Sequence, residues 1–407
     1  NIMDANYSDF FNSAVNDNGR GQAIEVNAKR TYFPTLIRFS QEYEQSTNIN
    51  GTNRFYYENA DEYDRSFGDI EKMFIDGRYK FVFQKFDIGV VPVLMQIIKD
   101  TSGNPLEANS DILLNKITYP YVGKFGIGDV KESFAYGKWA KYYIDSNKGT
   151  VHRLSQDGNT TLSVLYECNA FFVSQLAAYK KELNNGYPPP GGVYKGDPTV
   201  YGIFDSYTNK YIISMEEINR YDINGNLIFH QDPQTISFLE TRDVSEGFES
   251  KYSYHSEGMD SLNNVLVSFK NGALWKHDSN IFCKFYGVQY DAYIQGVFND
   301  ATRQKKSWQS ITQIANTKFS CPVIYTNVNT YGNQRQESNL VEAEFEILEG
   351  NPSSAIKRDI NSRGGKVNGD FMKGNHMVVT FKKENASELV ILAEVSVLVN
   401  DSPLTNK

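Results

Sequence analysis

The chain has 407 residues, with 49 acidic side chains against 41 basic ones and a formal net charge of −8. This excess of negative charge disfavours a nucleic-acid-binding protein, because contacts with phosphates supply most non-specific affinity for DNA. Aromatic residues make up 14% of the sequence, and this bias toward strand-forming residues predicts a globular, mainly β protein rather than a disordered one. The length predicts one large β domain and a smaller one.

The cysteines and the apolar runs exclude further classes of protein. Cys168, Cys283 and Cys321 are an odd number without CxxC spacing, which disfavours a disulfide framework or a zinc site. We expect them to be small core residues of a protein made in a reducing compartment. The longest apolar runs, such as residues 388–399, are shorter than the roughly 18 residues that span a bilayer. No signal peptide opens the sequence, and no stable membrane association is predicted.

Residues 1–30 are polar, rich in Asn and weakly periodic, which is typical of an N-terminal arm or linker that lies on a neighbour. From residue 31 the pattern changes to short β-forming runs. The first clear one is IEKMFIDGRYKFVFQ, in which apolar and polar residues alternate on both sides of Asp76-Gly77, and this pattern predicts a hairpin. Its alternating apolar residues are Met73, Ile75, Tyr79, Phe81 and Phe83.

Similar turn signals recur between β-forming runs and predict a series of antiparallel hairpins. They are Asp145 to Gly149, Asp157-Gly158, Asn209-Lys210, Asn224-Gly225 and Asn271-Gly272. The predicted fold is therefore mainly β. It has a propeller-like or multi-sheet antiparallel β body over residues 31–300, with one clear helix, and a small C-terminal β region over residues 301–407.

The stretch Asp145-Ser146-Asn147-Lys148-Gly149 also begins like a calcium-binding loop. Such a loop needs Gly at its sixth position and a bidentate acid at its twelfth. The chain has Thr150 and Gln156 at these positions. Since Asp and Asn also favour hairpin turns, a turn is predicted here rather than a metal site.

The predicted helix lies in NAFFVSQLAAYKKELNNG, residues 169–186. Its apolar residues step by four, three and four and so form a single stripe, and Gly186 with the prolines after it ends the helix. The stripe consists of Phe172, Leu176, Tyr179 and Leu183.

The last third of the chain contains NLVEAEFEILEG, in which apolar residues alternate with glutamates and predict a strand with one packed and one solvated face. The apolar residues are Val341, Ala343, Phe345 and Ile347. Together with HMVVTFKK and ELVILAEVSVLV, this strand predicts an antiparallel sheet.

Residues that could carry chemistry are scattered. The histidines His152, His230, His255, His277 and His376 lack metal-ligand spacing, and a structural role is expected for each. The glycines of GKFGIGDV, residues 123–130, favour a turn, since the helix and the acid of a nucleotide-binding motif do not follow them. Acidic residues cluster in residues 58–71, where they could serve glycoside hydrolysis or, as we expect, form a solvated acidic face. No catalytic, cofactor or metal site is assigned.

The stretch SFKNGALW, residues 268–275, resembles the Asp-box turn of sialidase-type propellers and predicts a hairpin rather than catalysis. Ser268, Gly272 and Trp275 are in place, whereas Lys270 stands where the Asp should be.

Two basic stretches stand out, RQKK at residues 303–306 and a Gly-rich loop. They could contact phosphates in a DNA channel or an acidic partner subunit, and the alternative is a solvated loop. The cations of the Gly-rich loop are Lys357, Arg358, Arg363, Lys366 and Lys373.

Several longer stretches resemble a known family. TYFPTLIRFS (31–40), FGDIEKMFIDGRYKFVFQKFDIGVVPV (67–93) and KESFAYGKWAKYYIDSNKGTVHRLSQDG (131–158) are similar to the tail hub, muzzle or DNA-stabilisation proteins of short-tailed phages, above all the crAss-like phages. GDPTVYGIFDSYTNKYIISM (196–215), residues 235–278 and FYGVQYDAYIQGVFN (285–299) continue the likeness in order. It covers most of residues 31 to about 300 and extends more loosely to residue 399.

The resemblance implies a β-propeller-like body, a ring of identical subunits at the distal end of a virion tail, and no enzymatic activity. It also implies contacts with other tail proteins and transient contact with packaged DNA, in a protein assembled in the bacterial host cytoplasm. Family members begin well before the TYFPTLIRFS segment, so the chain is expected to be the C-terminal portion of a longer protein.

Three hypotheses follow for the function. The first is a virion structural protein that forms a ring at the tail tip, closes the DNA exit and opens for genome ejection. The second is a carbohydrate-binding or glycan-cleaving β-propeller used in host-surface recognition. The third is a cell-surface adhesin module.

Overall fold

The computed structural model describes residues 32–41, 51–99, 105–179, 199–222, 224–240, 247–301, 303–329, 334–361 and 369–401. The protein is mainly β and is built from many antiparallel sheets, as the sequence predicts. It divides into two compact units between Gly272 and Ala273. No helix in these residues combines the length and apolar character needed to cross a membrane.

The described part of the first unit contains a two-stranded sheet, followed along the chain by antiparallel sheets of four strands. The two-stranded sheet consists of β1 (Leu36–Arg38) and β2 (Ala60–Glu62). The first four-stranded sheet consists of β3 (Ile70–Asp76), β4 (Tyr79–Gln84), β5 (Ile88–Lys99) and β6 (Pro105–Leu114). The second consists of β7 (Ala135–Tyr136), β8 (Lys141–Asp145), β9 (Thr150–Ser155) and β10 (Gly158–Thr161).

The third four-stranded sheet has a hairpin inserted between its second and third strands. The sheet consists of β11 (Val200–Asp205), β12 (Lys210–Met215), β15 (Gln234–Leu239) and β16 (Phe248–Tyr252). The hairpin consists of β13 (Ile218–Tyr221) and β14 (Leu227–Gln231), and the paired strands β17 (Gly258–Leu262) and β18 (Val265–Lys270) follow the sheet. The helical segments are α1 (Leu162–Leu165), α2 (Asn169–Leu176) and 3-10 turns at Gly51–Asn53, Arg65–Phe67, Lys131–Ser133 and Ala177–Tyr179.

The predicted turns are confirmed. In the β3–β4 hairpin Asp76 pairs with Tyr79, and Gly77 takes a left-handed conformation with φ of 60°. Left-handed geometry favours Gly and Asn because they carry little or no steric penalty there. The other predicted turns also have residues with positive φ, namely Gly149, Gly158, Asn209, Gly225 and the pair Asn271-Gly272.

The second four-stranded sheet packs on both of its faces. On one face the ring of Tyr143 in β8 lies against Phe83 of the first sheet, with ring centroids 5.5 Å apart. On the other face the ring of Tyr142 stacks on Phe204 (5.4 Å) and Tyr211 (5.0 Å) of the third sheet. All five residues of β8 are buried. The second sheet is therefore packed between the first and the third.

The predicted helix is present as α2 and the 3-10 turn after it. Phe172, Leu176 and Tyr179 are buried in the core shared by the second and third sheets. Leu183, the fourth residue of the predicted stripe, lies outside the described residues.

The second unit contains two larger antiparallel sheets and several short strands. The short strands are β19 (Ala273–Lys276), β20 (Lys284–Phe285) and β21 (Val288–Gln289). One sheet has the order β22 (Ala292–Phe298), β29 (Met377–Lys383), β24 (Ser320–Asn329) and β25 (Arg335–Leu340). The other has the order β26 (Glu346–Leu348), β27 (Asn351–Ala355), β23 (Lys306–Ala315) and β28 (Lys373–Gly374), with β30 (Leu392–Asp401) also paired to β23.

These two sheets share one hydrophobic core, so they form a two-sheet sandwich. Trp308 and Ile311 of β23 meet Ile324 of β24 and Val379 and Phe381 of β29 there. All five side chains are almost completely buried.

Two expectations for this region are wrong. The stretch from Val341 to Ile347 is not one strand, because a 3-10 turn at Glu342–Glu344 separates β25 from β26. The backbone N–H of Val341 donates to the Glu344 carboxylate (3.0 Å) and stabilises this turn. The strands β29 and β30 exist as predicted, but they belong to the two different sheets of the sandwich.

Candidate assembly surfaces

The Asp145 carboxylate accepts hydrogen bonds from the backbone of its own turn. Its Oδ1 accepts hydrogen bonds from the backbone N–H groups of Asn147 (2.9 Å) and Lys148 (3.2 Å). Asn147 in turn donates from its side-chain amide to the carbonyl of Lys85 (2.9 Å). Burial raises the pKa of Asp145 to about 6. Among the residues that the structure describes, no group of three or more His, Cys, Asp or Glu side chains could hold a metal ion.

The glycine-rich stretch 123–130 forms turns, as predicted. Gly123 and Gly128 have positive φ. The ammonium group of Lys148 donates to the carbonyl of Lys124 (2.9 Å) and lies 3.8 Å from the centroid of the Phe125 ring. The stretch is therefore fastened to the Asp145 turn.

His152 is a buried core residue of β9. Its ring stacks on Tyr143, with centroids 4.9 Å apart, and its Nε2 lies 2.7 Å from the hydroxyl oxygen of Thr150. Burial lowers the pKa of His152 to about 3, so the imidazole is neutral at pH 7. The other histidines are dispersed, with His230 on β14, His255 ahead of β17, His277 just after β19 and His376 just ahead of β29.

The prediction that the cysteines are core residues is confirmed for Cys321, holds in part for Cys168 and is wrong for Cys283. Cys321 in β24 is fully buried, and burial raises the pKa of its thiol to about 12. Cys168 and Cys283 are only half-buried. Cys168 packs at the margin of the core ahead of α2, and Cys283 occupies a left-handed turn position with φ of 51°. All three are free thiols.

Several acidic residues of the 58–71 stretch serve local structure. Asp64 accepts a hydrogen bond from the backbone N–H of Ser66 (2.8 Å), which lowers the pKa of its carboxyl. Glu62 forms a surface ion pair with Arg65. These contacts cap and brace the 3-10 turn that precedes β3.

The stretch that resembles an Asp-box contains a tight turn, as predicted. Asn271 and Gly272 have φ of 52° and 73°, the combination that a type I′ hairpin turn requires. Ser268 is buried in β18, and the ring of Trp275 meets the edge of Tyr286 at 5.6 Å.

Several cations of the two basic stretches have partners within the chain. Lys306 is buried and donates to the carbonyl of Asn375 (3.2 Å). Lys357 pairs with Glu344 at 2.5 Å, and the guanidinium of Arg358 lies 4.2 Å from the centroid of Phe371. Lys373 belongs to β28, whereas Arg363 and Lys366 lie outside the described residues. Contact with DNA or with an acidic partner stays a prediction.

Two ribbons of the first unit expose apolar side chains. From Val93 onward β5 pairs with β6 and no longer with β4, and Ile98 and Ile112 are exposed on this ribbon. The β13–β14 hairpin exposes Leu227 and Ile228, and within the described chain no third strand pairs with it. Two-stranded ribbons are marginally stable alone, so both ribbons are candidate contacts with other subunits.

Exposed aromatic residues lie on two neighbouring turns of the first unit. Trp139 lies in the turn between β7 and β8, with the ammonium group of Lys138 4.6 Å from its ring centroid. Tyr207 lies in the turn between β11 and β12. The turns adjoin because Gly137 lies directly against Phe204, near the end of β11.

The strand β22 is an uncovered edge of the sandwich in the second unit. Over the described ranges no strand pairs with its outer side. The opposite edge of the same sheet, β25, is covered, because Ile360 N–H donates to the Glu337 carbonyl (2.9 Å) and the Ser338 hydroxyl donates to the Lys357 carbonyl (2.9 Å). The sequence AYIQGVF of β22 has no charged residue and no Pro. It therefore lacks the features that usually protect an exposed edge from pairing.

The sequence alone does not mark β22 as a functional strand. The only feature of β22 in the sequence is a run of seven uncharged residues. Whether a strand lies at the edge of its sheet depends on the order of the strands, and here the strands β29 and β24 are distant in the chain. Tyr293, Ile294 and Val297 of β22 are 64%, 56% and 57% exposed. Apolar exposure on both faces of an edge strand indicates a contact surface.

Comparisons with known proteins do not identify a family. No family model matches the chain, and no curated protein matches it. Among solved structures, sucrose-6-phosphate hydrolase from Lactobacillus gasseri shows 11% sequence identity, with 81% of this chain and 70% of that chain covered and a TM-score of 0.12. A similarity at this level carries no argument about fold or function.

Proposed function

We propose that this protein is a structural subunit of a phage tail, which assembles with copies of itself into a ring at the tail tip, closes the DNA exit and opens for genome ejection. The resemblance of residues 31 to about 300 to tail hub and muzzle proteins supports this role. The observation that carries the proposal is the uncovered edge of β22, because an uncharged, apolar edge strand is best stabilised when another chain covers it.

The two apolar ribbons support the same conclusion. A ring brings each subunit into contact with two neighbours, and it needs two different surfaces that fit each other. The ribbons β5–β6 and β13–β14 belong to the first unit and the edge strand β22 belongs to the second. The chain thus offers several separate apolar surfaces for contacts between subunits.

The net negative charge of the chain is compatible with the lining of a channel through which DNA moves. A net charge of −8 repels phosphates, so the genome would pass without being held. Lys306, Lys357 and Arg358, which belong to the two basic stretches, already have partners within the chain.

A measurement of mass and symmetry on the purified full-length protein tests the proposal. We expect a closed ring in electron micrographs and a single multiple of the subunit mass by mass photometry. In virions labelled at this protein, the label should lie at the tip of the tail. A protein that stays monomeric at all concentrations, or a label on the capsid shell or on fibre tips, would contradict the proposal.

Binding of a host-surface carbohydrate is a second candidate function, and the exposed aromatic side chains Trp139 and Tyr207 favour it. An exposed aromatic face can pack against the apolar face of a sugar ring while neighbouring polar groups bind the hydroxyls. On a glycan array, we expect Trp139→Ala to lower binding at least tenfold. Tyr57→Ala, which removes another exposed aromatic ring, is the control and should bind as the unchanged protein does. Failure of the unchanged protein to bind any glycan would rule this function out.

A further inference from the structure

One face of β22 belongs to the core of the sandwich. In the ladder with β29, Ile294 pairs with Phe381 and Gly296 pairs with Val379. Both residues of β29 are core residues, and each is at most 2% exposed. Residues directly opposite each other in a sheet lie on the same face, so Ile294 and Gly296 lie on the core face. Ile294 is nevertheless 56% exposed, which means that the core is open at this edge.

The other sheet of the sandwich has its free edge on the same side. The residues after β27 lie along β25, where the N–H of Ile360 donates to the Glu337 carbonyl. Since β25 and β27 meet on one side of the sandwich, the opposite edges β22 and β30 lie on the other side. Val399 of β30 pairs with the core residue Trp308 and is 37% exposed. In the part of the chain that the structure describes, no strand pairs with the outer side of β30.

The strand β22 is complementary to itself when two copies run antiparallel. It has seven residues, and Gln295 is the central one. Only a register centred on Gln295 pairs all seven residues with the same strand of a second copy. This register also keeps the core faces of the two sheets on the same side, because a shift by one residue would turn them to opposite sides.

In this register each large residue on the core face lies opposite a small one. Ile294 lies opposite Gly296, and Ala292 lies opposite Phe298. Among the described residues other than its two chain neighbours, no heavy atom lies within 4 Å of the position that a Cβ would take at Gly296. The side chain of Ile294 from a second copy would fill this space, as close packing of a core requires.

The outer face and the ends of the strand match as well. Tyr293 lies opposite Val297, and pairs of an aromatic and a β-branched residue stabilise antiparallel sheets. The two side chains are 64% and 57% exposed, so both gain by being covered. Just beyond the strand, Asp291 lies opposite Asn299. No like charges therefore meet at the ends of the contact.

The open side of the sandwich is large enough for a specific contact. A strand of seven residues is about 24 Å long, and two stacked sheets with their side chains are about 20 Å thick. Two copies that meet along this side together bury about 1,000 Å², which is close to the lower limit for a specific interface. We therefore expect a dimer that dissociates on dilution.

We propose that two copies of this chain pair antiparallel through β22, centred on Gln295, so that each sandwich covers the open core of the other. The copies are related by a twofold axis at Gln295, and the same surface of each copy forms the contact. The four strands of each sheet then join into one sheet of eight strands. This pairing goes beyond the proposed ring and does not depend on it. Where both form, the number of subunits in the assembly is even.

An exchange of two side chains tests the register. We expect Gly296→Ile to weaken the dimer at least tenfold in sedimentation velocity, because the added side chain meets Ile294 of the second copy. The sandwich itself should fold, since the new side chain has open space within its own copy. Ile294→Gly should also weaken the dimer. The double variant Ile294→Gly/Gly296→Ile should dimerise again, because each Ile once more faces a Gly, and failure of this recovery would overturn the proposal.

Charges at the twofold axis test the symmetry. Gln295 lies opposite Gln295 of the second copy, so we expect Gln295→Asp and Gln295→Lys each to weaken the dimer at least fivefold. A mixture of the two variants should form a heterodimer, because opposite charges then meet. Asn339→Asp is the matched control, since it adds the same charge to an exposed residue of β25 at the covered edge of the same sheet, and it should dimerise normally. A mixture that stays monomeric would contradict the twofold contact.

Disulfide formation detects the same contact inside a larger assembly. Gln295→Cys is introduced into a chain that also carries Cys168→Ser and Cys283→Ser, and oxidised glutathione is added. Opposed residues of antiparallel strands have Cα atoms about 4.5 to 5.5 Å apart, which suits a disulfide, so we expect a covalent dimer. Asn339→Cys in the same background should give none. Absence of a dimer with Gln295→Cys, or an equal yield from Asn339→Cys, would overturn the proposal.

The pairing and the ring can fail separately. If the unchanged protein forms rings and Gln295→Cys gives no covalent dimer, the pairing is wrong while the proposed function stands. If the covalent dimer forms and no ring is found, the proposed function fails while the pairing stands. Protection of the β22 amides from hydrogen exchange in a protein that stays monomeric would mean that another segment of the same chain covers this edge, and the pairing would again be wrong.

Discussion

Replacement of Glu240 by Ala is expected to lower the free energy of unfolding by about 3 to 5 kcal/mol. The Glu240 carboxylate lies 2.7 Å from the guanidinium of Arg153 and accepts a hydrogen bond from the hydroxyl of Tyr142 (2.5 Å). Its side chain is only 10% exposed, and that of Arg153 is 25% exposed. The substitution leaves a largely buried cation and a buried phenol without their acceptor, which costs more than the pair contributes when intact.

The loss of stability should be measured by urea denaturation. Hydrogen exchange of the backbone amides of β8 and β9 should be followed during the denaturation, because these strands report on the unfolding of the first unit. Glu249→Ala is the control. It removes a surface partner that pairs with Lys210 at 2.9 Å and is 42% exposed, so it should cost less than about 1 kcal/mol. Addition of Arg153→Met to Glu240→Ala should restore part of the stability, because the unpaired cation is then gone. Equal losses for Glu240→Ala and Glu249→Ala would contradict this account.

Local chemistry explains why the turns were predictable. At Gly77 and at Asn271-Gly272 the backbone needs positive φ, and few residues other than Gly and Asn adopt it readily. The signal therefore lies in one or two adjacent residues. The helix that buries Phe172, Leu176 and Tyr179 could also be predicted, because the helical spacing of these residues lies within one short segment.

The stretch from Val341 to Ile347 shows where a local pattern fails. Alternation of apolar and acidic residues is compatible with a strand, but Glu344 bonds the backbone N–H of Val341 and holds a 3-10 turn. Only Phe345 of the predicted apolar face is fully buried. A side chain that bonds the nearby backbone thus competes with the strand pattern.

Contacts between distant parts of the chain could not be read from the sequence. Glu240 and Arg153 are 87 residues apart, and nothing in either neighbourhood predicts their pairing. The free edge of β22 also depends on contacts between distant residues, because it follows from the strand order β22, β29, β24 and β25. The candidate assembly surface is therefore a property of the folded sheet.

His152 and Asp145 are expected to give opposite dependences of stability on pH. The pKa of folded His152 is about 3, against about 6.5 in an unfolded chain. Between these values the unfolded state binds a proton that the folded state excludes, so His152 destabilises the fold as pH falls from 6.5 toward 3. The pKa of folded Asp145 is about 6, against about 3.9 unfolded. The folded state keeps this proton longer, so Asp145 destabilises the fold as pH rises from about 4 to 6.

Two substitutions separate these effects. The free energy of unfolding of the unchanged protein minus that of His152→Gln should fall by about 4 to 5 kcal/mol as pH decreases through the His152 window. The corresponding difference for Asp145→Asn should fall by about 3 kcal/mol as pH increases through the Asp145 window. Asn at position 145 keeps a side-chain oxygen for the N–H groups of Asn147 and Lys148, so the turn should survive.

Urea denaturation at intervals of half a pH unit between pH 3 and pH 8 measures both differences. The two curves must slope in opposite directions between pH 4 and pH 6, because burial excludes the proton from His152 and retains it on Asp145. Curves of the same sign would mean that a shared change of structure, rather than the two separate titrations, sets the acid response of this sheet. Two flat curves would mean that water reaches both groups, and that the second sheet is not packed on both faces in solution.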